Sequence, residues 1–289
     1  MAAALLMISG AAFAQQQSIF SMYRQNMNIV NPAYAGVDGE TVLALSYRDQ
    51  WTGVPNAPLT QAVSFGTTVG NNLGIGLSVV NDRNFVEKET FAGIDFSYKL
   101  QMNYNTNLYF GLKAGGNFYS VNTSGLETYA DMVDPALANY SSFDPNAGVG
   151  LLWKSEKYYV SFSLPRIFST ARAKNDDGYA VMATDRPHMY LSGGYDFDLQ
   201  TNTPLVLKPS VMVSYVNNAP VSVDFNTMLQ INNIFEIGAS YRTDKAFAAM
   251  ANFTVANRFM FGYAYEMSTN TDLASTKNTN ELLLRFKFN

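Results

Sequence analysis

The residues that could carry chemistry are few. His188 is the only histidine and there is no cysteine, so a transition-metal site lacks its usual ligands. Ser192 shares a strand face with His188, but a hydrolase also needs an oriented base and an oxyanion site, and the sequence indicates neither. We therefore predict no catalytic residue, no metal, no cofactor and no enzyme.

Acidic turns are the remaining candidates for an ion site. Asp131, Asp134 and Asp144 form one group and Asp176-Asp177-Gly178 another. Neither has the regular ligand spacing of a calcium loop, so solvated acidic turns are the preferred interpretation. The net charge of −4 gives no reason to expect a nucleic-acid partner.

The closing residues, Glu281 to Asn289, alternate with a period of two. Leu282, Leu284, Phe286 and Phe288 lie on one face of the predicted strand, and Leu283, Arg285 and Lys287 on the other. Such alternation is typical of a membrane barrel strand, with lipid outside and a polar lumen inside. A half-buried strand of a soluble β-sandwich is the alternative.

Composition and strand spacing favour the barrel. The chain has 20 Phe, 18 Tyr and only 15% charged residues, whereas soluble domains usually carry about 25%. We predict about fourteen strands. These cover 40–49, 59–69, 73–82, 88–101, 106–120, 144–154, 157–164, 188–198, 205–215, 220–230, 234–242, 246–255, 258–267 and 280–288.

The predicted connections differ in length according to their side. Every even-numbered connection is a short turn, whereas the long segments Gln50–Pro58, Val121–Phe143, Pro165–Pro187 and Ser268–Thr279 are all odd-numbered. Bacterial barrels have short periplasmic turns and longer outer loops. We therefore predict an all-β, transmembrane, antiparallel up-and-down barrel in the cell outer membrane, in contact with outer-membrane lipid.

The N-terminus has the features of an export signal. Ala2 to Ile8 form a short apolar run, and Ala12-Phe13-Ala14 before Gln15 resembles a signal-peptidase site. We predict a signal peptide over 1–14, a periplasmic or plug segment over 15–39, and the barrel over 40–289.

Two motifs resemble a known family. Tyr23–Gly36 contains the element NPAYAG, and Tyr47–Pro58 reads YRDQWTGVPNAP. Together they resemble the PorP/SprF family of type IX secretion outer-membrane proteins, and the similarity covers essentially the whole mature chain. Near the last strand, where that family usually has Gly-x-His-Glu, Asn278–Glu281 retains only the glutamate.

The resemblance implies a non-enzymatic role in type IX secretion. It implies as partners other secretion subunits and an exported cell-surface protein, such as a gliding-type adhesin, recognised through its C-terminal sorting domain. The alternative function is a porin or a hydrophobic-ligand transport channel.

Eight residues are candidates for partner binding. Asn31-Pro32 fixes an extended turn and Gly36 permits a positive φ, so this motif is either a plug, a periplasmic contact or a rigid lead-in to the first strand. Arg48 faces the lumen, where charges of both signs form an internal network or line a channel. Trp51 lies in the first outer loop, as a protein anchor or an interfacial aromatic. The full set is Asn31, Pro32, Tyr34, Gly36, Arg48, Trp51, Gly53 and Pro58.

Overall fold

A computed structural model describes residues 20–123, 139–172, 183–199, 203–244, 246–268 and 278–288. Four short 3₁₀ turns precede the first strand: η1 (Tyr23–Gln25), η2 (Met27–Ile29), η3 (Pro32–Tyr34) and η4 (Val37–Gly39). All other regular structure in the described ranges is β. Among these residues no helix has the length and apolar character needed to cross a membrane.

Within the described ranges, seventeen strands follow in chain order. They are β1 (Thr41–Asp49), β2 (Leu59–Val69), β3 (Leu73–Asn84), β4 (Glu87–Asn103), β5 (Thr106–Val121), β6 (Tyr140–Ser155), β7 (Tyr158–Leu164), β8 (Thr170–Arg172), β9 (Ala183–Asp185), β10 (His188–Tyr195), β11 (Phe197–Leu199), β12 (Leu205–Val216), β13 (Ser222–Ile231), β14 (Phe235–Arg242), β15 (Ala246–Val255), β16 (Phe259–Ser268) and β17 (Asn278–Phe288).

Fifteen of these strands form one antiparallel sheet that closes on itself. β10 and the short β11 pair with consecutive stretches of β12. Together they count as one strand of a barrel with fourteen strands. The sheet closes where β1 pairs with β17, with Thr41 opposite Phe288 and Arg48 opposite Glu281. The predicted fourteen-strand up-and-down barrel is confirmed, because closure leaves the wall without the open edges of a sandwich.

Side chains alternate between the two faces of the wall. On β17, Leu282 and Leu284 are exposed on the outer face, whereas Glu281 and Leu283 are buried in the lumen. The same alternation on the other strands gives a continuous outer band of Leu, Ile, Val, Phe and Tyr. A lipid environment buries this band, while pairing between neighbouring strands provides hydrogen-bond partners for the backbone of the wall.

The predicted strands are wrong in two regions. β4, β5 and β6 are the longest strands, with 17, 16 and 16 residues, and β6 begins at Tyr140 rather than at Asp144. The stretch Tyr140–Phe143 is polar and resembles a loop, but it pairs residue by residue with Phe118–Val121. The sequence likewise predicts a loop for the residues of β8 and β9, which pair with each other. Backbone pairing with a neighbour, which sequence does not encode locally, extends these strands.

Candidate functional site

Residues 20–40, which we call the plug, run through the lumen from one rim to the other. The plug begins at the long-loop end, where the backbone N–H of Ser21 donates to both carboxylate oxygens of Glu281 at 3.0 and 2.9 Å. It ends at the short-turn end, where Glu40 pairs with Arg285 at 3.4 Å and with Lys287. The chain then enters β1, so the lumen is occupied along its length.

The local sequence explains the sharp turn in the plug. The side-chain oxygen of Asn31 accepts a hydrogen bond from the backbone N–H of Ala33 at 2.9 Å, and Pro32 occupies the first position of η3. This is an N-cap with a proline just inside the turn. Gly36 has a φ of 66°, and an added Cβ would meet the backbone of Thr67, so glycine suits this position.

Glycines in the barrel wall let the plug approach the backbone of the strands closely. Gly74, Gly111 and Gly150 lie on β3, β5 and β6 at lumen-facing positions. An added Cβ at each would overlap, respectively, the carbonyl oxygen of Ala35, the backbone nitrogen of Ala33 and the side-chain oxygen of Asn31. The Asn31–Gly36 turn is therefore seated in a track that only glycine leaves open.

Wall side chains satisfy the polar groups of this turn. Asn31 Nδ2 donates to Ser161 Oγ at 2.7 Å and to the carbonyl oxygen of Leu151 at 3.2 Å. Three further wall hydroxyls donate to plug carbonyl oxygens: Ser163 to Val30, Ser97 to Ala35 and Thr68 to Gly36. Burying the turn therefore leaves few of its hydrogen-bonding groups unpaired.

A cluster of charges on the wall, which we call the seam cluster, surrounds the start of the plug. Arg48 contacts Glu281 and lies 2.6 Å from Glu266, while Arg242 lies 2.6 Å from Asp224 and 3.7 Å from Glu266. The Ser21 hydroxyl donates to both glutamates, and Asn226 donates to the carbonyl oxygen of Ser21. The predicted internal charge network is thus present, and it also binds the plug.

A second charged pair lies at the middle of the plug. Lys113 Nζ is 3.3 Å from Asp95, with both side chains fully buried, and donates to Ser78 at 2.6 Å. The same ammonium donates to the plug carbonyl oxygen of Ile29 at 3.2 Å, and Asn28 donates to Asp95 at 3.2 Å. The pair therefore stabilises the plug, with Asp95 Oδ1 in contact with the ammonium but without a hydrogen bond.

Apolar side chains of the plug fill the remaining lumen. Three clusters form, each contributed by both the plug and the wall. They are Met22 with Met228, Met250, Ala264 and Leu283; Tyr23 and Met27 with Tyr190 and Met212; and Ala33 with Tyr109, Leu152 and Tyr159. Tyr34 packs edge-on to Tyr159 at 6.5 Å between centroids. The lumen is therefore packed like a core, with a cavity of about 190 Å³ towards the short-turn end.

The predicted partner-binding residues fall into three places. Asn31, Pro32, Tyr34 and Gly36 lie together in the plug, and Arg48 belongs to the seam cluster. Asn31 and Pro32 are fully buried, so neither is available for direct contact by a partner in this conformation.

Trp51, Gly53 and Pro58 lie apart from the plug, in the loop at the long-loop end. This loop is tied to β17, because the backbone N–H of Thr52 donates to the carbonyl oxygen of Asn278 at 2.9 Å. Gly53 is exposed with a φ of 89°. The role of Trp51, Gly53 and Pro58 in partner binding stays a prediction.

Several further residues fix the plug that the sequence motifs do not identify. Ser21, Asn26 and Asn28 supply plug side chains to the wall, and Gly111 and Gly150 supply the track. One signal was available, since glycines occupy lumen-facing positions on successive strands, where side chains would otherwise fill a barrel. No local pattern indicates which segment those glycines admit.

The acidic and histidine candidates do not come together in the described residues. No group of three or more His, Asp or Glu residues among them could hold a metal ion, and Asp144 instead accepts a hydrogen bond from Ser142 at 3.2 Å. The acidic candidates Asp131, Asp134, Asp176 and Asp177, with Gly178, lie outside the described residues. His188 stacks on Tyr190 at 6.1 Å between ring centroids.

Comparison with known proteins completes the assignment. Among solved structures the chain resembles the Acinetobacter baumannii outer membrane protein Omp33, with 9% identity over 86% of this chain and 99% of that chain and a TM-score of 0.49. It also resembles the KdgM porin in complex with disordered oligogalacturonate, with 8% identity, the same coverage and a TM-score of 0.42. No curated protein matches the sequence. The family model for the type IX secretion system membrane protein PorP/SprF matches residues 12–286. The chain therefore belongs to the PorP/SprF family of type IX secretion system membrane proteins and is integral to the outer membrane.

Proposed function

We propose that this protein is a non-enzymatic outer-membrane partner for the secretion or surface attachment of an exported protein, for example a gliding-type adhesin with a C-terminal sorting domain. The family and the barrel fold point to a non-enzymatic membrane component of type IX secretion. The identity of the partner and the manner of its binding are part of the proposal, as is contact with other secretion subunits.

The observation that carries the proposal is the filled lumen. The plug is bonded to the wall at its start by the seam cluster, at its middle by Lys113 and Asp95, and at its turn by Asn31. A barrel that works as an open pore needs a continuous aqueous path. In this barrel, lumenal polar groups instead form hydrogen bonds and ion pairs with the plug and with each other. A binding role therefore fits better than the alternative of a porin or a hydrophobic-ligand channel.

The long-loop end offers the surface for a partner. The loop Gln50–Pro58 exposes Val54 at 38% and holds Trp51 half-buried with a φ of 55°. A constrained loop with an aromatic residue can bind a protein at low entropic cost. At the same end, a small apolar cavity inside the mouth of the barrel is lined by Phe20, Val80, Phe91, Pro165, Arg166 and Tyr190. These two features are the proposed contact site.

A deletion strain with complementation tests the proposal. We expect deletion to remove at least one exported protein from the cell surface, measured by quantitative mass spectrometry of surface, medium and periplasmic fractions. Complementation with the wild-type chain should restore it, whereas Trp51→Ala with Val54→Ser should not. Arg258→Gln, on the opposite rim, is the control and should restore it fully. An exported proteome that is the same with and without the gene would refute the proposal.

A further inference from the structure

Two basic side chains stand side by side on the outer face of the wall, beyond the apolar band. Arg83 on β3 lies directly opposite Lys88 on β4 in the strand register. Both side chains are exposed. Like charges at directly opposed positions are unfavourable by themselves, so their juxtaposition calls for an anionic neighbour.

The described part of the chain does not supply that neighbour. No ion pair with either cation occurs among the described residues. Glu87 and Glu89 flank Lys88 along β4, but strand alternation turns them towards the lumen, where Glu89 is buried and paired with Arg166. Asp49 is the nearest carboxylate in the same outward row, and it lies two strands away, opposite Leu59, which is opposite Arg83.

The outward-facing neighbours of this pair on β3 and β4 show where it lies relative to the bilayer. Outward positions of β3 run Leu73, Ile75, Leu77 and Val79 before Asn81 and Arg83, so the apolar run ends two steps before the arginine. On β4 the outward run ends at Ala92, before Thr90 and Lys88. The cations therefore lie just past the hydrocarbon boundary, at the rim that carries the long loops and so faces outside.

Hydroxyl groups and aromatic rings line a shallow, open depression beside Lys88. Lys88 is opposite Ser120, which is opposite Ser141 on β6. At the next outward-facing positions towards the bilayer centre, Phe118 and Phe143 are 53% and 56% exposed, and their ring centroids are 4.7 Å apart. A cavity of about 420 Å³ lies against Lys88, Thr90, Phe118, Ser120, Ser141 and Phe143.

We propose that this outer-wall patch, comprising Arg83, Lys88, Ser120, Ser141, Phe118 and Phe143, binds the phosphorylated sugar headgroup of a glycolipid of the outer leaflet. Arginine and lysine neutralise phosphate and donate charge-assisted hydrogen bonds to it. The serine hydroxyls are donors and acceptors for sugar hydroxyls. The two exposed rings offer an apolar surface to the sugar face or to the first methylenes of the acyl chains.

The choice of a glycolipid over a protein partner follows from position. The patch faces sideways from the barrel at the level of lipid headgroups, not upwards from its mouth. A surface of this kind meets lipid wherever the barrel diffuses, and cations beside an anionic leaflet each contribute favourably to that contact. The patch adjoins the Gln50–Pro58 loop, since the backbone N–H of Phe85 donates to the carbonyl oxygen of Asn56 at 3.2 Å, but its two cations lie on the outer face of the wall.

Lipid binding to the purified full-length barrel tests the proposal. The barrel in detergent is titrated with lipid A carrying both phosphates, with lipid A stripped of phosphate, and with phosphatidylglycerol, and bound lipid is counted by native mass spectrometry. We expect tight binding only of the phosphorylated glycolipid. Arg83→Gln with Lys88→Gln should weaken its binding on the order of 30-fold, as the loss of two cations near an anionic surface implies.

A matched double variant separates the patch from general charge effects. Lys157→Gln with Arg258→Gln removes the same charge from turns at the opposite rim and should leave binding unchanged. Heat-modifiable migration in gels verifies that each variant remains a folded barrel. Phe118→Ser with Phe143→Ser, which retains both cations, should weaken binding by a smaller factor.

Three results would each overturn the proposal: equal binding of dephosphorylated lipid A, equal binding of phosphatidylglycerol, or an equal loss in the opposite-rim variant.

Discussion

Arg48 and Glu281 connect the first and last strands of the barrel both by their position in the backbone pairing and by a side-chain ion pair. They are directly opposed in the β1–β17 register, and their side chains form an ion pair in the lumen with 3% and 0% exposure. Glu281 also accepts hydrogen bonds from the backbone N–H and the hydroxyl of Ser21. One carboxylate therefore closes the wall and fastens the start of the plug.

Arg48→Gln should destabilise the folded barrel strongly. The change leaves Glu281 and Glu266 buried with Arg242 as the nearest remaining cation, and breaking a buried pair costs about 3–5 kcal/mol. Urea unfolding in detergent micelles measures the loss. Lys287→Gln, which removes the same charge from a partly exposed pair with Glu40, should cost less than about 1 kcal/mol. Equal losses in the two variants would contradict a special role for the seam cluster.

Gly150→Ala should displace the plug. The added methyl group would occupy the position of the Asn31 side-chain oxygen, and overpacking of this kind costs about 1–3 kcal/mol. The chain has no cysteine, so Met27→Cys gives a single label in the lumen. We expect a membrane-impermeant maleimide to react faster with this thiol in the Gly150→Ala background than in the wild-type background.

Gly193→Ala is the control for this measurement. A Cβ there would lie 3.4 Å from the carbonyl oxygen of Tyr159, which is an ordinary contact. Labelling of Met27→Cys should be unchanged in this background. An identical labelling rate in all three backgrounds would show that the wall does not clamp the Asn31–Gly36 turn.

Lys113→Met should release the middle of the plug. It leaves Asp95 buried without its cation and removes a donor from the carbonyl oxygen of Ile29, so we expect a loss of about 3–5 kcal/mol in unfolding free energy. Asp95→Asn combined with Lys113→Met should recover a large part of that loss, because it removes the unpaired charge. A double variant no more stable than Lys113→Met alone would argue against coupling between the two residues.

The wild-type barrel should not conduct ions steadily in planar bilayers. Apolar clusters and hydrogen-bonded plug residues occupy much of the lumen, so we expect them to obstruct a continuous aqueous path. The Gly150→Ala variant should show more frequent brief openings. Stable wild-type conductance of the size seen with open porins would restore the transport-channel alternative and remove the main support for a binding role.

The strands were predictable because their signal is local. A barrel strand alternates lipid-facing and lumen-facing residues every second position, so Leu282 and Leu284 can be separated from Leu283 without knowing any neighbour. The parity of loop lengths then decided which rim carries the long loops. The family motifs Tyr23–Gly36 and Tyr47–Pro58 were likewise legible from the chain alone.

The position of the plug inside the barrel was decided only by the tertiary structure. Asn31 meets Ser161, which lies 130 residues away in sequence, and Ser21 meets Glu281 across 260 residues. Those contacts depend on how fourteen strands curve and on where Gly74, Gly111 and Gly150 leave room. Alternation determines which face a side chain occupies, but barrel closure determines what it meets there, because strand register and curvature are properties of the whole wall.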